Sequence, residues 1–332
     1  MNKRRTLARI LDASGLLALV DCLPGRNRLL ALNYHRVGAT PDSPYDPALW
    51  SADAEAFTAQ LAYLKRHYDV VTAADLPDIA RTRRGRYAMV TFDDGYLDNY
   101  TCAFPLLRDA GVPATFFVAT GYIDAPRVPW WDEIAWMTAT STRDVLRLPG
   151  FVDDELPLDA TSRGSTREWL LSVYKKLPGD RTETFLDALA DASGCGRHPP
   201  VTDGGFWMNW DMLREMHAAG MCIAGHTVNH PVLSSLPRAA QAEEIRTCQA
   251  RLEAEIGVAP AAFSYPVGGP NAFNDDTRAC LRELGIEHAF SYHGGFVNFS
   301  RWDVHDTPRV AIEPYIDQPW FHAIARLPEV FA

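Results

Sequence analysis

Two short segments carry most of the residues able to do chemistry. In Tyr87-Ala-Met-Val-Thr-Phe-Asp-Asp-Gly95, an apolar run delivers two adjacent carboxylates, Asp93 and Asp94, to a glycine turn. Carboxylates paired at the mouth of a core strand repel each other and lose solvation, so they need a cation or a proton between them. The competing arrangement is an Asx turn with both side chains in water. In Met221-Cys-Ile-Ala-Gly-His-Thr-Val-Asn-His-Pro231, a second apolar run ends in His226 and His230, four residues apart. If the chain turns helically there, both imidazoles face one side and share one ion. Asp94, His226 and His230 together give two nitrogens and one oxygen, a three-ligand set that leaves a position open for water, as catalytic metal sites do. Imidazoles with one carboxylate suit Zn²⁺; Co²⁺, Ni²⁺, Mn²⁺ and Fe²⁺ satisfy the same donor types.

Both segments need strands that stop at a common end. Short apolar runs alternate with helical patterns from about residue 29 onward, the signature of strand-helix units in a parallel sheet or barrel. Expected strands are Leu29 to Tyr34, Asp69 to Val71, Tyr87 to Phe92, Ala114 to Val118, Met221 to Gly225, Ala262 to Tyr265, His288 to Ser291 and Arg309 to Ile312. Amphipathic segments lie between them: Ala54 to His67, Leu97 to Ala110, Asp211 to Ala219, Ala239 to Ile256 and Asp275 to Leu284. Several end in glycine, as helices do before a following strand. The number of units suits an α/β barrel better than an open sheet, and catalytic groups of such barrels sit at the C-terminal strand ends. Residues 126–205 break the rhythm and form a helical insertion over one end of the barrel, with fragments at Arg167 to Leu177 and Glu183 to Ala192. The expected organisation is an N-terminal amphipathic segment over residues 1–28 and a barrel domain over 29–325.

Thr91-Phe-Asp-Asp-Gly95 and His226-Thr-Val-Asn-His230 resemble the first two motifs of the NodB-type polysaccharide deacetylases, carbohydrate esterase family four. The resemblance covers about residues 29–125 and 206–312. It implies a distorted, incomplete (β/α) barrel and metal-dependent hydrolysis of the N-acetyl group of an N-acetylhexosamine, with Asp93 as general base and Asp94 as metal ligand. The family's third motif, Arg-x-Pro followed by an aromatic, has its nearest match in Ser264-Tyr-Pro-Val-Gly268, where Ser264 stands in the Arg position. The resemblance implies that this Arg orients the catalytic Asp, and Arg309 at the head of the last strand is the candidate replacement. The backbone N–H of Val267 still offers an oxyanion donor, since a main-chain amide does not depend on the side chain. The family's last motif, a strand ending in the general-acid His, has no counterpart after residue 305. Instead, Leu29-Leu-Ala-Leu-Asn-Tyr-His35 is an apolar strand ending in His, which resembles the circularly permuted branch that includes poly-N-acetylglucosamine deacetylases and makes His35 the acid.

Composition bounds the remaining choices. The 332 residues carry Lys+Arg 32 against Asp+Glu 42, a net charge of -10, and 47% hydrophobic residues, ordinary globular values. The acidic balance argues against a nucleic-acid partner, and the Arg81 to Arg86 cluster reads as a solvated loop. No apolar run approaches the ~18 residues that cross a bilayer. Lys3, Arg4 and Arg5 ahead of Leu7, Ile10 and Leu11 suggest a signal peptide, but Arg9 and Asp12 interrupt the stretch and no cleavage pattern follows. An amphipathic helix is expected instead, with peripheral membrane contact through residues 1–20 as one use for it. Six cysteines without C-x-x-C spacing read as buried thiols, Cys222 included, and favour a cytoplasmic location over a peripheral inner-membrane or exported one. Trp130, Trp131 and Trp207 have faces suited to stacking on sugars, against plain packing, and His293 lies beyond a strand end where it could line the cleft. The expected partner is an N-acetylated oligo- or polysaccharide. Two rival readings stay open: an amidohydrolase acting on a non-sugar amide or cyclic imide, and a catalytically weak carbohydrate-binding homologue.

Overall fold

The computed structural model describes residues 3–21, 28–40, 42–82, 85–201 and 205–332. Cys22, Arg83 and Arg84, all within the readings above, lie outside them. Ten strands build one sheet: β1 (Arg28–Tyr34), β2 (Asp69–Val70), β3 (Arg86–Phe92), β4 (Thr115–Val118), β5 (Cys222–Gly225), β6 (Ala262–Ser264), β7 (His288–Ser291), β8 (Val297–Asn298), β9 (Thr307–Pro308) and β10 (Val310–Ala311). Their order is β8-β1-β3-β4-β5-β6-β7-β9, with β2 beside β3 and β10 beside β1. All pairings are parallel except that of β8 with β1.

The expected last strand, Arg309 to Ile312, is reduced to Val310–Ala311, and a separate short strand, Thr307–Pro308, precedes it. Thr307 and Pro308 pair with Phe290 and Ser291 of β7, whereas Val310 and Ala311 pair with Leu32 and Asn33 of β1. The chain therefore crosses from one edge of the sheet to the other at Arg309, nearly closing a distorted (β/α) barrel. Alternation along the strands sorts side chains to its two faces. Ala31, Met89, Phe117, Ala224, Ala262 and Phe290 share one apolar cluster, and the Phe117 and Phe290 rings meet at 5.1 Å although three strand pairings separate β4 from β7. Only the barrel interior allows that contact. Two residues on from Ala31, Met89, Ala224 and Ala262, on the same face, come Asn33, Thr91, His226 and Ser264, so a polar layer lies directly on an apolar floor. The other face, with Leu30, Leu32, Val90, Phe92 and Phe116, packs under the helices in the main core.

Local signals place the helices. Asp53 caps Ala54–His67 by accepting from the Ala56 N–H, and Gly111 and Gly257 end their helices in the left-handed conformation. The expected helix Leu97 to Ala110 opens instead with a wide π-helical turn, Asn99–Ala103, before Phe104–Ala110. The insertion contributes Trp130–Thr140, Arg163–Tyr174 and Thr182–Ser193. The N-terminal helix Lys3–Ala13 packs on the later helix Gln318–Arg326, tied by Arg5 and Arg9 to Asp317.

Candidate active site

One cavity of about 200 Å³ at the C-terminal strand ends is lined by all seven singled-out residues: His35, Asp93, Asp94, His226, His230, Val267 and Arg309. His35 follows β1, the two aspartates follow β3, His226 follows β5 and Val267 lies beyond β6. Leu171 and Lys175 bring the insertion to the wall of the same cavity.

Asp94, His226 and His230 offer three ligand atoms within 4.8 Å of one another. Each imidazole Nε2 stands 3.4 Å from Asp94 Oδ1, which is buried and has no hydrogen-bond partner. An orphaned carboxylate oxygen between two ring nitrogens is costly unless a cation sits among them, so the donor set fits a divalent metal. His226 Nδ1 donates to the Ser264 carbonyl at 2.8 Å, which leaves Nε2 free as the ligand nitrogen. Cys222 lies outside the cluster.

The two histidines do not converge through a helical turn. The segment from His226 to His230 is a loop in which Thr227 and His230 adopt φ of 66° and 53°. The Thr227 hydroxyl donates to the His226 carbonyl and accepts the His230 N–H at 2.9 Å, closing the loop on itself. Gly121 packs against it: its N–H donates to the Val228 carbonyl at 2.8 Å, and a Cβ there would lie 2.6 Å from that oxygen. Among the described residues, the non-glycine positions with positive φ are Asp94, Thr227, His230 and Val267, all in or beside this site. For a β-branched residue such as Val267, at 65°, this is an uncommon conformation held by its surroundings.

Arg309 is 1% exposed and forms a two-pronged pair with Asp93, Nη1 to Oδ1 at 2.7 Å and Nη2 to Oδ2 at 2.8 Å. Its other hydrogens reach Asn33 Oδ1 (2.8 Å), Thr91 Oγ1 (3.2 Å), the Ser291 carbonyl (3.3 Å) and Ser264 Oγ (2.7 Å). The guanidinium thus enters from the crossing between β9 and β10, and Ser264 touches it as a hydrogen-bond acceptor. Asn33, in the middle of an otherwise apolar strand, was legible as an inward polar residue but was not singled out; its Nδ2 also donates to Asp93 Oδ2 at 3.3 Å.

Electrostatics follow from this packing. Burial alone would raise the carboxyl of Asp93, but Arg309 and His226 outweigh it and hold the group well below the usual range. Asp94 is likewise lowered against the effect of burial, by both ligand histidines. For His226 burial favours the neutral ring, yet Asp93 and Asp94 raise it. His230 is pushed down to about 3 by burial, which Asp94 opposes only in part.

His35 is held through its backbone: its N–H donates to Ser51 Oγ at 3.0 Å and its carbonyl accepts from Asn99 Nδ2 at 2.7 Å, out of the π-helical turn. Its ring lies edge-on to Tyr292 at 6.4 Å. Tyr292 lines the cavity, whereas His293 does not and pairs with Asp306 at 3.2 Å. Trp130 and Trp131 line the cavity, but Trp207 does not: it is buried and stacked between Tyr96 and Tyr122, so neither face is open to a sugar. Glu313 and Asp46 complete the polar wall and were not anticipated.

The profile of the polysaccharide deacetylase family matches residues 80–143 and 174–289. Poly-beta-1,6-N-acetyl-D-glucosamine N-deacetylase of Escherichia coli K12 is 28% identical over 132 residues, which are 36% of this chain and 19% of that protein. The chain thus covers about a fifth of the length of that relative. Among solved structures, the Streptococcus pyogenes deacetylase PplD, in complex with acetate, aligns with a TM-score of 0.59 at 16% identity over 92% of this chain and 98% of its own. IcaB from Ammonifex degensii aligns with a TM-score of 0.55 at 22% identity over 91% and 98%. At such identities these two likenesses show the shared fold.

Proposed function

The chain belongs to the polysaccharide deacetylase family, and from that premise we propose that it is a metal-dependent carbohydrate N-deacetylase, a hydrolase acting on the acetamido group of N-acetylhexosamine units in an oligo- or polysaccharide. The observation that carries this reading is the convergence of the Asp93–Arg309 pair with Asp94, His226 and His230 in one cavity, around a buried carboxylate oxygen that has no partner. Asp94, His226 and His230 would hold the ion, Zn²⁺ being the best match to two imidazoles and a carboxylate. When bound, it supplies Lewis-acid polarisation of the acetyl carbonyl and a more acidic water.

The chain's own residues do the rest. Arg309 keeps Asp93 ionised and fixed, committing both oxygens but leaving a lone pair on Oδ1, and that lone pair accepts the proton of the attacking water. With its affinity for protons so lowered, Asp93 contributes through placement and a permanently available acceptor rather than through strong basicity. The Val267 N–H, on a residue that lines the cavity, is the donor for the tetrahedral oxyanion. His35, from the strand that opens the barrel, protonates the departing amine, in keeping with a permuted motif order. Poly-N-acetylglucosamine is the substrate to try first, because it is the one printed in the name of the E. coli relative.

Metal-replete protein incubated with N-acetylglucosamine oligomers should release acetate, lose this activity with a chelator and regain it with Zn²⁺. Turnover of small cyclic imides without acetate release, or oligomer binding without acetate release across the five metals, would overturn the reading in favour of the two rivals named above.

A further inference from the structure

The N-terminal helix Lys3–Ala13 packs on the barrel through Ala8 and Leu11 and leaves a second apolar strip uncovered. Beside that contact Arg5 and Arg9 both bind Asp317, at 2.9 and 2.6 Å, and Asp12 faces His322 at 3.0 Å, so ion pairs fix the rotation of the helix on the barrel. Leu7 and Ile10, three residues apart and therefore on one face, point away and are 44% and 59% exposed. The next helix, Leu16–Asp21, repeats the pattern: Leu17 is buried while Leu16 and Leu19 are 50% and 61% exposed. A helix that only had to pack on a globular surface needs one apolar strip, and this one carries a second, exposed strip at Leu7 and Ile10. Elsewhere among the described residues exposed large apolar side chains are scattered singly, whereas here four fall within thirteen positions.

Charge selects the occupant of this face. The whole chain carries -10, yet the segment through the end of the second helix holds Lys3, Arg4, Arg5 and Arg9 against Asp12 and Asp21. Arg5 and Arg9 share one carboxylate and remain 42% and 58% exposed, so the surface around the leucines keeps an excess of positive charge. Apolar side chains flanked by exposed cations are complementary to an anionic lipid surface, into which such helices sink by a few ångströms without spanning it. A second copy of this acidic chain offers no matching negative apolar face at the same place, because the cations would meet their own kind across a two-fold axis. In keeping with a surface helix, no described helix is long and apolar enough to cross a membrane.

We propose that residues 3–19 form a docking surface for an anionic lipid bilayer, through Leu7, Ile10, Leu16 and Leu19 with their flanking cations. A further cavity, lined by Arg4, Tyr292, Glu313 and Tyr315 among others, adjoins this end of the molecule and shares Tyr292 and Glu313 with the candidate active site. The surface itself stands independently of what the cavity hydrolyses.

The test is sedimentation of the untagged chain with vesicles of phosphatidylcholine containing about one-third phosphatidylglycerol, compared with phosphatidylcholine alone. Binding to the anionic vesicles should exceed binding to neutral ones at least about tenfold, and should weaken as salt shrinks the screening length from about 10 Å towards about 3 Å. Leu7→Glu with Ile10→Glu should lower binding by at least about tenfold while leaving the thermal melt and acetate release from soluble oligomers unchanged. Should that variant fold poorly, Leu7→Ser with Ile10→Ser makes the same comparison. No binding to anionic vesicles at low salt, binding indifferent to these substitutions, or a dimer in light scattering that the substitutions abolish would each overturn the proposal; the last would assign the face to a second copy.

Discussion

Moving the buried cation from position 309 to position 264 tests how Asp93 is held. In Arg309→Ala the carboxylate keeps only Asn33 Nδ2 at 3.3 Å and Ser264 Oγ at 3.4 Å, inside a site where Asp93 is 4% exposed. At 2.7 Å the lost attraction is about 6 kcal/mol for an effective dielectric of about 20. Against this stands the desolvation of Arg309 that the substitution removes, so the net cost of breaking such a buried pair is about 3 to 5 kcal/mol. Without Arg309 the pull of burial towards the protonated carboxyl is opposed mainly by His226, so the affinity of Asp93 for a proton rises, and a protonated Asp93 cannot serve as acceptor. We expect kcat to fall by about 10² to 10⁴. Ser264→Arg alone should also destabilise, because Ser264 Oγ lies 2.7 Å from Arg309 Nη2 and a second guanidinium would be forced against the first. The double variant has one cation again, entering from β6, and should be more stable than either single change by at least about 2 kcal/mol, with kcat at least tenfold above Arg309→Ala. Urea midpoints and acetate release complete the cycle. Unaltered kcat and stability in Arg309→Ala would refute the pairing argument, and additive losses in the double variant would show that the two positions do not share one charge site.

Other outcomes can be set against measurement. His226→Ala and His230→Ala should each lower metal affinity by at least about tenfold and activity with it; stoichiometric metal by elemental analysis in the double variant would remove both from the ligand set. His35→Ala should slow amide hydrolysis by about 10² to 10⁴ at unchanged metal content and spare an activated ester, whose leaving group needs no proton. Equal loss on both substrates would exclude His35 as the acid. Away from the cavity's metal donors, Asp132 is fully buried and its carboxyl is pushed up to about 7, chiefly by burial, although the Asp46 N–H at 2.9 Å and the Tyr96 hydroxyl at 3.1 Å favour the charge. Between the ordinary value of 3.8 and about 7 the unfolded chain has released this proton while the folded one keeps it. Stability is therefore lost as pH rises through that window, by up to roughly 4 kcal/mol. Asp132→Asn should flatten the dependence and exceed the wild type at pH 8, by urea midpoints; parallel curves for the two proteins would contradict it.

The sequence alone determined what is local. Alternation along Leu29 to Tyr34 and Tyr87 to Phe92 fixed which residues share a face, and the switch from apolar to polar residues at Asp93 and His226 marked where the strands open into a cleft. Those signals survive because a strand's side chains alternate whatever it pairs with. Tertiary structure decided everything that depends on which edges meet. Arg309 reaches Asp93 because the chain crosses at that residue from β7 to β1, a consequence of near-closure that no window of sequence contains. His226 and His230 converge through a loop with two left-handed residues, where their spacing had suggested a helical turn, because packing on Gly121 and the Thr227 hydroxyl outweighs local preference. Trp207 and His293 looked like cleft residues by type, but stacking on Tyr96 and Tyr122 and pairing with Asp306 draw them elsewhere. The pattern of Lys3 to Ala13 specified a helix; only its packing on Gln318–Arg326 and the ion pairs to Asp317 and His322, more than three hundred residues away, decided that Ala8 and Leu11 turn inward while Leu7 and Ile10 turn outward.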